Sequence, residues 1–266
     1  MKTKVLQMGA DNFGAGGRSV IAYNLTRPLT DDFQVDFLAI GKLKNPSFHQ
    51  IIEENGGYVQ HVKEASSKIK RLRSIYSILK KEKYDIVHIN ADDAIEGLFN
   101  IILSKLSGAK IVLHAHTTSS SRGEGFIGRL KMLSAKKIVN FLVDYKLACS
   151  LEAAVYLYGN TDLSDVAIIK NGIIINDFLY NEELRQNVRE NLNIPMEAII
   201  LGTVGRLSYE KNPEFMVSLI QTLFSKAPNF YFIWIGDGEE RASIEKKLDE
   251  EIKSGKIVPD GSAPVA

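Results

Sequence analysis

Short apolar runs alternate with longer amphipathic stretches along most of the chain. The first run, Val5-Leu6-Gln7-Met8, predicts a strand, and a glycine-bearing loop and a helix near 18–27 follow it. Further strands are expected at 33–39, 58–62, 85–90, 110–115, 146–149 and 166–169, with helices at 66–83, 93–106, 126–140 and 151–158. Strands that alternate with helices imply parallel βαβ units. Such sheets bind ligands beyond the carboxyl ends of their strands, so the loops directly after strands are the ones to read. After Asn171-Gly172 the pattern restarts with a helix at 181–192, a strand at 199–204, a helix at 213–225, a strand at 231–235 and a helix at 239–253. We therefore expect an α/β protein of two domains, 1–175 and 176–266, the second incomplete. Two or so of its strands are expected, with an exposed edge beyond 231–235, and the tail after Gly255 reads as a truncation or frameshift.

Bulk properties narrow the classes. A formal charge of +1 over 266 residues leaves no global field to recruit nucleic acid or membrane. The single cysteine, Cys149, excludes a disulfide framework and a multi-cysteine metal site. The N-terminal apolar stretch runs at once into glycines and is not a signal peptide. No apolar run approaches the roughly 20 residues of a membrane span. These features predict a cytoplasmic protein that is free to sit peripherally on the inner face of the membrane.

Three loops after strands carry candidate chemistry. Gly14, Gly16 and Gly17 precede a helix N-terminus, and the loop reads either as a phosphate or sugar cradle or as a tight turn. A dinucleotide fingerprint fits poorly, because no full Gly-x-Gly-x-x-Gly follows the strand and no acidic residue ends the second strand. The loop GRLSYEKN is sharper. Asn212 suits an N-cap, Pro213 the first helical position and Glu214 the first turn. Arg206 at the strand end and Lys211 before the helix would then converge with the helix dipole on one point, as a diphosphate requires. The alternative is a pair of solvated charges, one of them paired with Glu210. Gly205 opens this loop. The third loop, Gly236-Asp237-Gly238, also follows a strand and lines a nucleotide pocket or forms a plain turn.

His114 and His116 close a strand. We expect them on opposite faces, with His116 toward the cleft, where it either meets a sugar hydroxyl or is structural. His88 reads as a core histidine. A metal site lacks a third clustered ligand. Residues 117–125 read as a polar lid. Helix 66–83 pairs an apolar stripe with Lys68, Lys70, Arg71, Arg73, Lys80, Lys81 and Lys83. It reads either as resting on anionic lipid or, preferably, as packed on the core with a solvated basic face.

The ordered set GAGG, DIVHIN, HAH, LACS, NGI…DF, GRLSYEKN and IGDGE resembles the family-4 retaining glycosyltransferases, and is most similar to the bacterial branch that builds capsule and exopolysaccharide. The resemblance runs from about Val5 to Glu250 and implies a GT-B fold of two Rossmann-like domains. The N-terminal one would take the acceptor, a glycan or polyprenyl-linked molecule. The C-terminal one would take a UDP- or GDP-sugar. It further implies Arg206 and Lys211 as the diphosphate-binding pair, Gly16 and Gly17 as the N-terminal glycine loop, and His116 beside the reacting sugar, with no bound cofactor or metal. The family's pair of glutamates eight positions apart is expected beyond Gly255, because Glu182 and Glu190 have that spacing but precede the strong strand at 199–204. A truncated, non-catalytic or split-subunit partner is the alternative.

Overall fold

The computed structural model describes residues 2–10, 16–29, 31–41, 46–63, 67–120, 125–159, 163–226, 230–254 and 257–260. The chain divides into two compact units, residues 1–174 and 175–266.

The first unit holds a seven-stranded sheet in the order β3-β2-β1-β4-β5-β6-β7, with every neighbouring pair parallel. The strands are β1 (Thr3–Met8), β2 (Phe33–Ile40), β3 (Val59–Val62), β4 (Ile86–Ala91), β5 (Lys110–Ala115), β6 (Tyr145–Ala148) and β7 (Val166–Ile168). The helices are α1 (Gly17–Thr26), α2 (Pro46–Glu54), α3 (Lys68–Glu82), α4 (Ala94–Ser107), α5 (Gly125–Leu142) and α6 (Leu151–Tyr158). Alternation along β1 splits the core in two. Leu6 and Met8 join Val87, Ile89 and the inner faces of α3 to α6, whereas Val5 joins Phe37 and Ala39 beneath α1 and α2. The strand order reverses between β1 and β4, which makes their carboxyl ends the topological switch point.

Local signals set the helix starts. Ser67, Asp93 and Ser150 each accept a hydrogen bond from a first-turn amide, of α3, α4 and α6 respectively. α3 turns Ile75 and Leu79 into the core, with Leu72 and Ile78 half-buried, while Ile69 in its first turn stays exposed beside a largely cationic outer side.

The second unit holds β8 (Ile199–Val204), β9 (Phe230–Ile235) and β10 (Ile257–Asp260) in the parallel order β10-β9-β8. Its helices are α7 (Glu182–Asn191), α8 (Pro213–Lys226), α9 (Arg241–Lys247) and α10 (Asp249–Lys253). Leu207, Ile220, Phe232, Ile244 and Ile257 form its core.

Three expectations need correction. β9 is the central strand of its sheet and has no free edge, so the exposed edge proposed there is absent. Part of the tail after Gly255 is that third strand, with Ile257 buried. The expected helix 239–253 is interrupted at Leu248, a buried residue between α9 and α10.

Candidate functional site

In the first unit the polar residues gather at the switch point. Gly9 follows β1 with φ +75°, and a Cβ there would lie 1.9 Å from the Asn90 carbonyl oxygen, so only glycine lets the chain leave β1 this close to β4. Gly16 is the extended N-cap residue of α1, and its carbonyl oxygen accepts from the Ser19 hydroxyl at 2.8 Å. Among the described residues a Cβ on Gly17 would meet nothing within 4 Å. Gly14 lies outside the described residues. Arg18, in the first turn, reaches Glu96 at 3.2 Å and Asp92 at 3.5 Å. A cavity of about 330 Å³ lies at these strand ends, lined by Met8, Gly9, Lys68, Arg71, Glu96 and Phe99 among others.

Beside it runs a buried polar column whose proton positions follow from one anchor. The Met8 carbonyl can only accept, so the amide nitrogen that meets it at 3.1 Å is the donor end of Asn90. The same nitrogen donates to Gln7 Oε1 at 2.9 Å. Gln7 Nε2 then donates to His88 Nδ1 at 3.0 Å, leaving the His88 proton on Nε2, which donates to His114 Nδ1 at 3.3 Å. The His114 proton is thereby placed on Nε2, a buried atom with no hydrogen-bond partner among the described residues. Asn90 Oδ1, the remaining acceptor, takes a proton from His116 Nε2 at 2.8 Å. His116 therefore carries its lone pair on Nδ1.

Burial, the largest cause, lowers all three imidazoles. Mutual repulsion adds to it, and Arg18 also acts on His116. His88 and His114 fall to about 3 and His116 to about 4, so all are neutral near pH 7. His114 and His116 do not point to opposite faces: their ring centroids are 4.1 Å apart. A strand repeats every two residues, so positions two apart share a face. His88 is the core histidine the sequence suggested. In the expected lid, Ser120 donates to Asp93 Oδ2 at 2.6 Å, which ties this segment to the start of α4; residues 121–124 lie outside the described residues.

In the second unit, Arg206 follows β8 and Lys211 ends a short 3-10 turn (Tyr209–Lys211). Both are exposed, and among the described residues neither forms an ion pair. They flank Glu210. A hydrogen bond from Ser208 is the main cause of that carboxyl's lowered pKa, and the charges of Arg206 and Lys211 add to it. Asn212 Oδ1 accepts from the Phe215 amide at 3.3 Å, capping α8, which starts at Pro213 as expected. Beyond β8 and β9 the two loops stay zipped together: the Gly205 amide donates to Ile235 O and the Leu207 amide to Asp237 O, both at 3.0 Å. The absent side chains of Gly236 and Gly238 make room for this partner backbone. Asp237 points to solvent, 3.7 Å from Arg241. Among the described residues no group of three His, Cys, Asp or Glu side chains is arranged to hold a metal.

Sequence reading missed Arg18, Asn90 and Glu96. The signal for Asn90 was present: His88 and Asn90 alternate in β4 as His114 and His116 do around the end of β5. In the parallel register Asn90 lies opposite His114 and Gln7 opposite His88.

The chain resembles known proteins in sequence and in fold. No family model matches the chain. EpsF of Bacillus subtilis strain 168, which carries a glycosyltransferase name, is 24% identical over 243 residues, spanning 89% of this chain and 62% of EpsF. The Escherichia coli UDP-Gal:α-D-GlcNAc-diphosphoundecaprenol α-1,3-galactosyltransferase is 26% identical over 185 residues, 64% of this chain and 45% of that protein. Among solved structures, Anabaena HepE in complex with UDP and glucose superposes with a TM-score of 0.71 at 16% identity, over 96% of this chain and 68% of HepE. A glycosyltransferase from Rickettsia africae gives 0.70 at 15% identity, over 99% of this chain and 69% of that one.

The fold is the GT-B type. It is also shared with the Neisseria meningitidis UDP-GlcNAc 2-epimerase bound to UDP-GlcNAc, at a TM-score of 0.63 and 10% identity, over 99% of this chain and 73% of the epimerase. The fold therefore leaves the reaction to be argued from the residues.

Proposed function

We propose that the chain carries an acceptor-side unit and a donor-side unit of a retaining family-4 glycosyltransferase. It would move a hexosyl or N-acetylhexosaminyl unit from a nucleotide-diphosphate sugar to a glycan or lipid-linked acceptor in surface polysaccharide synthesis. One observation carries this reading. Arg206 and Lys211 stand exposed, without ion-pair partners among the described residues, at a strand end beside the capped start of α8. Two exposed cations with one carboxylate, Glu210, between them, next to a helix N-terminus, suit the pyrophosphate of an activated sugar. The relatives add support: HepE has been crystallised with UDP-glucose, and the Escherichia coli relative is named for a UDP-galactose donor and a diphosphoundecaprenol acceptor.

In this reading the acceptor hydroxyl oxygen bonds to C1 of the sugar on the face that the diphosphate leaves. The C1–O bond breaks, and the hydroxyl proton passes to the departing phosphate oxygen. Arg206 and Lys211 take up the charge that develops there, so no metal is needed for that task. Neutral His116 offers a lone pair to a hydroxyl. The enzyme would work in the cytoplasm. Calorimetry with UDP and GDP tests the donor half: one of them should bind, and Arg206→Ala should weaken it about tenfold or more. If neither nucleotide binds the chain, the proposal fails for the chain as it stands.

A further inference from the structure

The cavity of about 330 Å³ at the strand ends of the first unit joins an apolar wall to two cations. Met8, Leu38 and Ile75 are the buried part of that wall, and Leu72 and Ile95 are half-buried beside them. The exposed residues of the lining are Lys68, Arg71 and Phe99. Lys68 and Arg71 lie three positions apart at the start of α3, so they share one side of the helix.

Neither cation forms an ion pair among the described residues. The Lys68 ammonium stands 4.5 Å from the centre of the Phe99 ring, held by an aromatic face rather than by a carboxylate. Glu96, the carboxylate of the lining, is engaged on both oxygens: Oε1 lies 3.2 Å from Arg18, and Oε2 accepts from the Asp92 amide at 3.3 Å. Two cations are thus available to a ligand's negative charge. The volume holds more than a phosphate group, and the wall beside the cations suits hydrocarbon. The cavity also adjoins the histidine column. Arg18, which holds Glu96, stands 3.5 Å from the Asn90 carbonyl oxygen, and Asn90 Oδ1 takes the His116 proton.

We propose that this cavity recognises the acceptor by its phosphate, taking a phosphate or diphosphate ester of an apolar alcohol. Lys68 and Arg71 meet the phosphate oxygens, and the hydrocarbon part lies against Leu38, Leu72 and Ile75. This rests on the transferase reading, which puts the acceptor in the first unit, and it narrows that acceptor to an anionic one. The hydroxyl that reacts is then on the His116 side, where a lone pair receives a hydroxyl and repels a phosphate. A neutral glycan would leave both cations and the apolar wall without a counterpart.

The test is calorimetry of the full chain with geranyl diphosphate, at saturating UDP so that Arg206 and Lys211 are occupied. Geranyl diphosphate should bind at least about tenfold more tightly than inorganic pyrophosphate, which lacks the hydrocarbon, or geraniol, which lacks the charge. Lys68→Gln with Arg71→Gln should weaken it about tenfold or more, and Lys68→Arg with Arg71→Lys should retain most of it. Arg73→Gln with Lys80→Gln, the same loss of charge elsewhere on α3, should leave it unchanged. All four residues are exposed, so thermal unfolding should not move. Displacement of geranyl diphosphate by UDP, equal binding of either control, or equal effects of the two glutamine pairs would overturn the proposal. The transferase reading fails separately, through absence of UDP binding. Geranyl diphosphate is then measured on Arg206→Ala with Lys211→Gln, where unchanged affinity supports the cavity as an anion site and lost affinity overturns it.

Discussion

Gly236 stands against the backbone of Gly205, so close that a Cβ on Gly236 would lie 1.9 Å from the Gly205 carbonyl oxygen. Its φ of +151° is also one that L side chains rarely adopt. The glycine of IGDGE therefore holds the loop after β9 against the loop that presents Arg206. Gly236→Ala should cost about 1–3 kcal/mol of stability, and should weaken UDP binding by displacing Arg206 rather than by removing a ligand contact. Chemical denaturation and calorimetry on the same sample check both halves. A variant of unchanged stability would show that the two loops separate freely.

Arg206 and Lys211 can be told apart from general surface charge by varying the ligand's phosphates. Lys211→Gln should weaken UDP about tenfold, UMP less, and uridine hardly at all, because the ammonium acts on the pyrophosphate. Both residues are exposed, so the unfolding midpoint should not move. Equal losses for uridine and UDP would place Lys211 away from the phosphates.

What could be read from the sequence was set by local chemistry. The start of α8 was legible because Asn212, Pro213 and Glu214 act within one turn. The parallel sheet of the first unit was legible because its central strands are nearly continuous apolar runs. Helix α2 (Pro46–Glu54) was missed, being short and followed at once by Gly56 and Gly57. β10 was read as part of an odd tail after Gly255, because four residues on their own show no period; its pairing with β9 is what makes it a strand. The histidine column and the cavity beside it depend on which neighbours strands and helices meet.

The imidazole column makes stability depend on pH in a definite direction. His88, His114 and His116 have folded pKa values of about 3, 3 and 4, whereas an unfolded histidine titrates near 6.5. Above about pH 6.5 both states are neutral and the column costs nothing. Below it the unfolded chain binds more protons, so stability falls as pH drops toward the folded values. Each histidine contributes a slope of up to about 1.4 kcal/mol per pH unit. Denaturant unfolding at pH 7, 6 and 5 should show this loss, and His88→Gln should make the slope shallower. Flat stability across that interval would mean that the column is hydrated and its histidines titrate normally.

Asn90 fixes the proton of His116. Its amide donates to Met8 O and Gln7 Oε1, so its oxygen must face His116 Nε2 at 2.8 Å. In the folded protein at pH 7, long-range proton–nitrogen NMR should find His116 as the neutral Nε2–H form. Asn90→Asp places a carboxylate opposite that proton, which favours the imidazolium and should raise the His116 pKa. It also turns two hydrogen bonds into contacts between acceptors, at a cost of about 1–3 kcal/mol. Asn90→Ala removes the acceptor without adding charge and should let the Nδ1–H tautomer appear. With the lone pair on Nδ1, His116 receives a hydrogen bond from a ligand hydroxyl and repels a phosphate oxygen, so the wild-type tautomer also bears on what the switch point can hold. A wild-type spectrum showing Nδ1–H, or an Asn90→Ala spectrum identical to wild type, would remove Asn90 from this role and leave His116 free to donate.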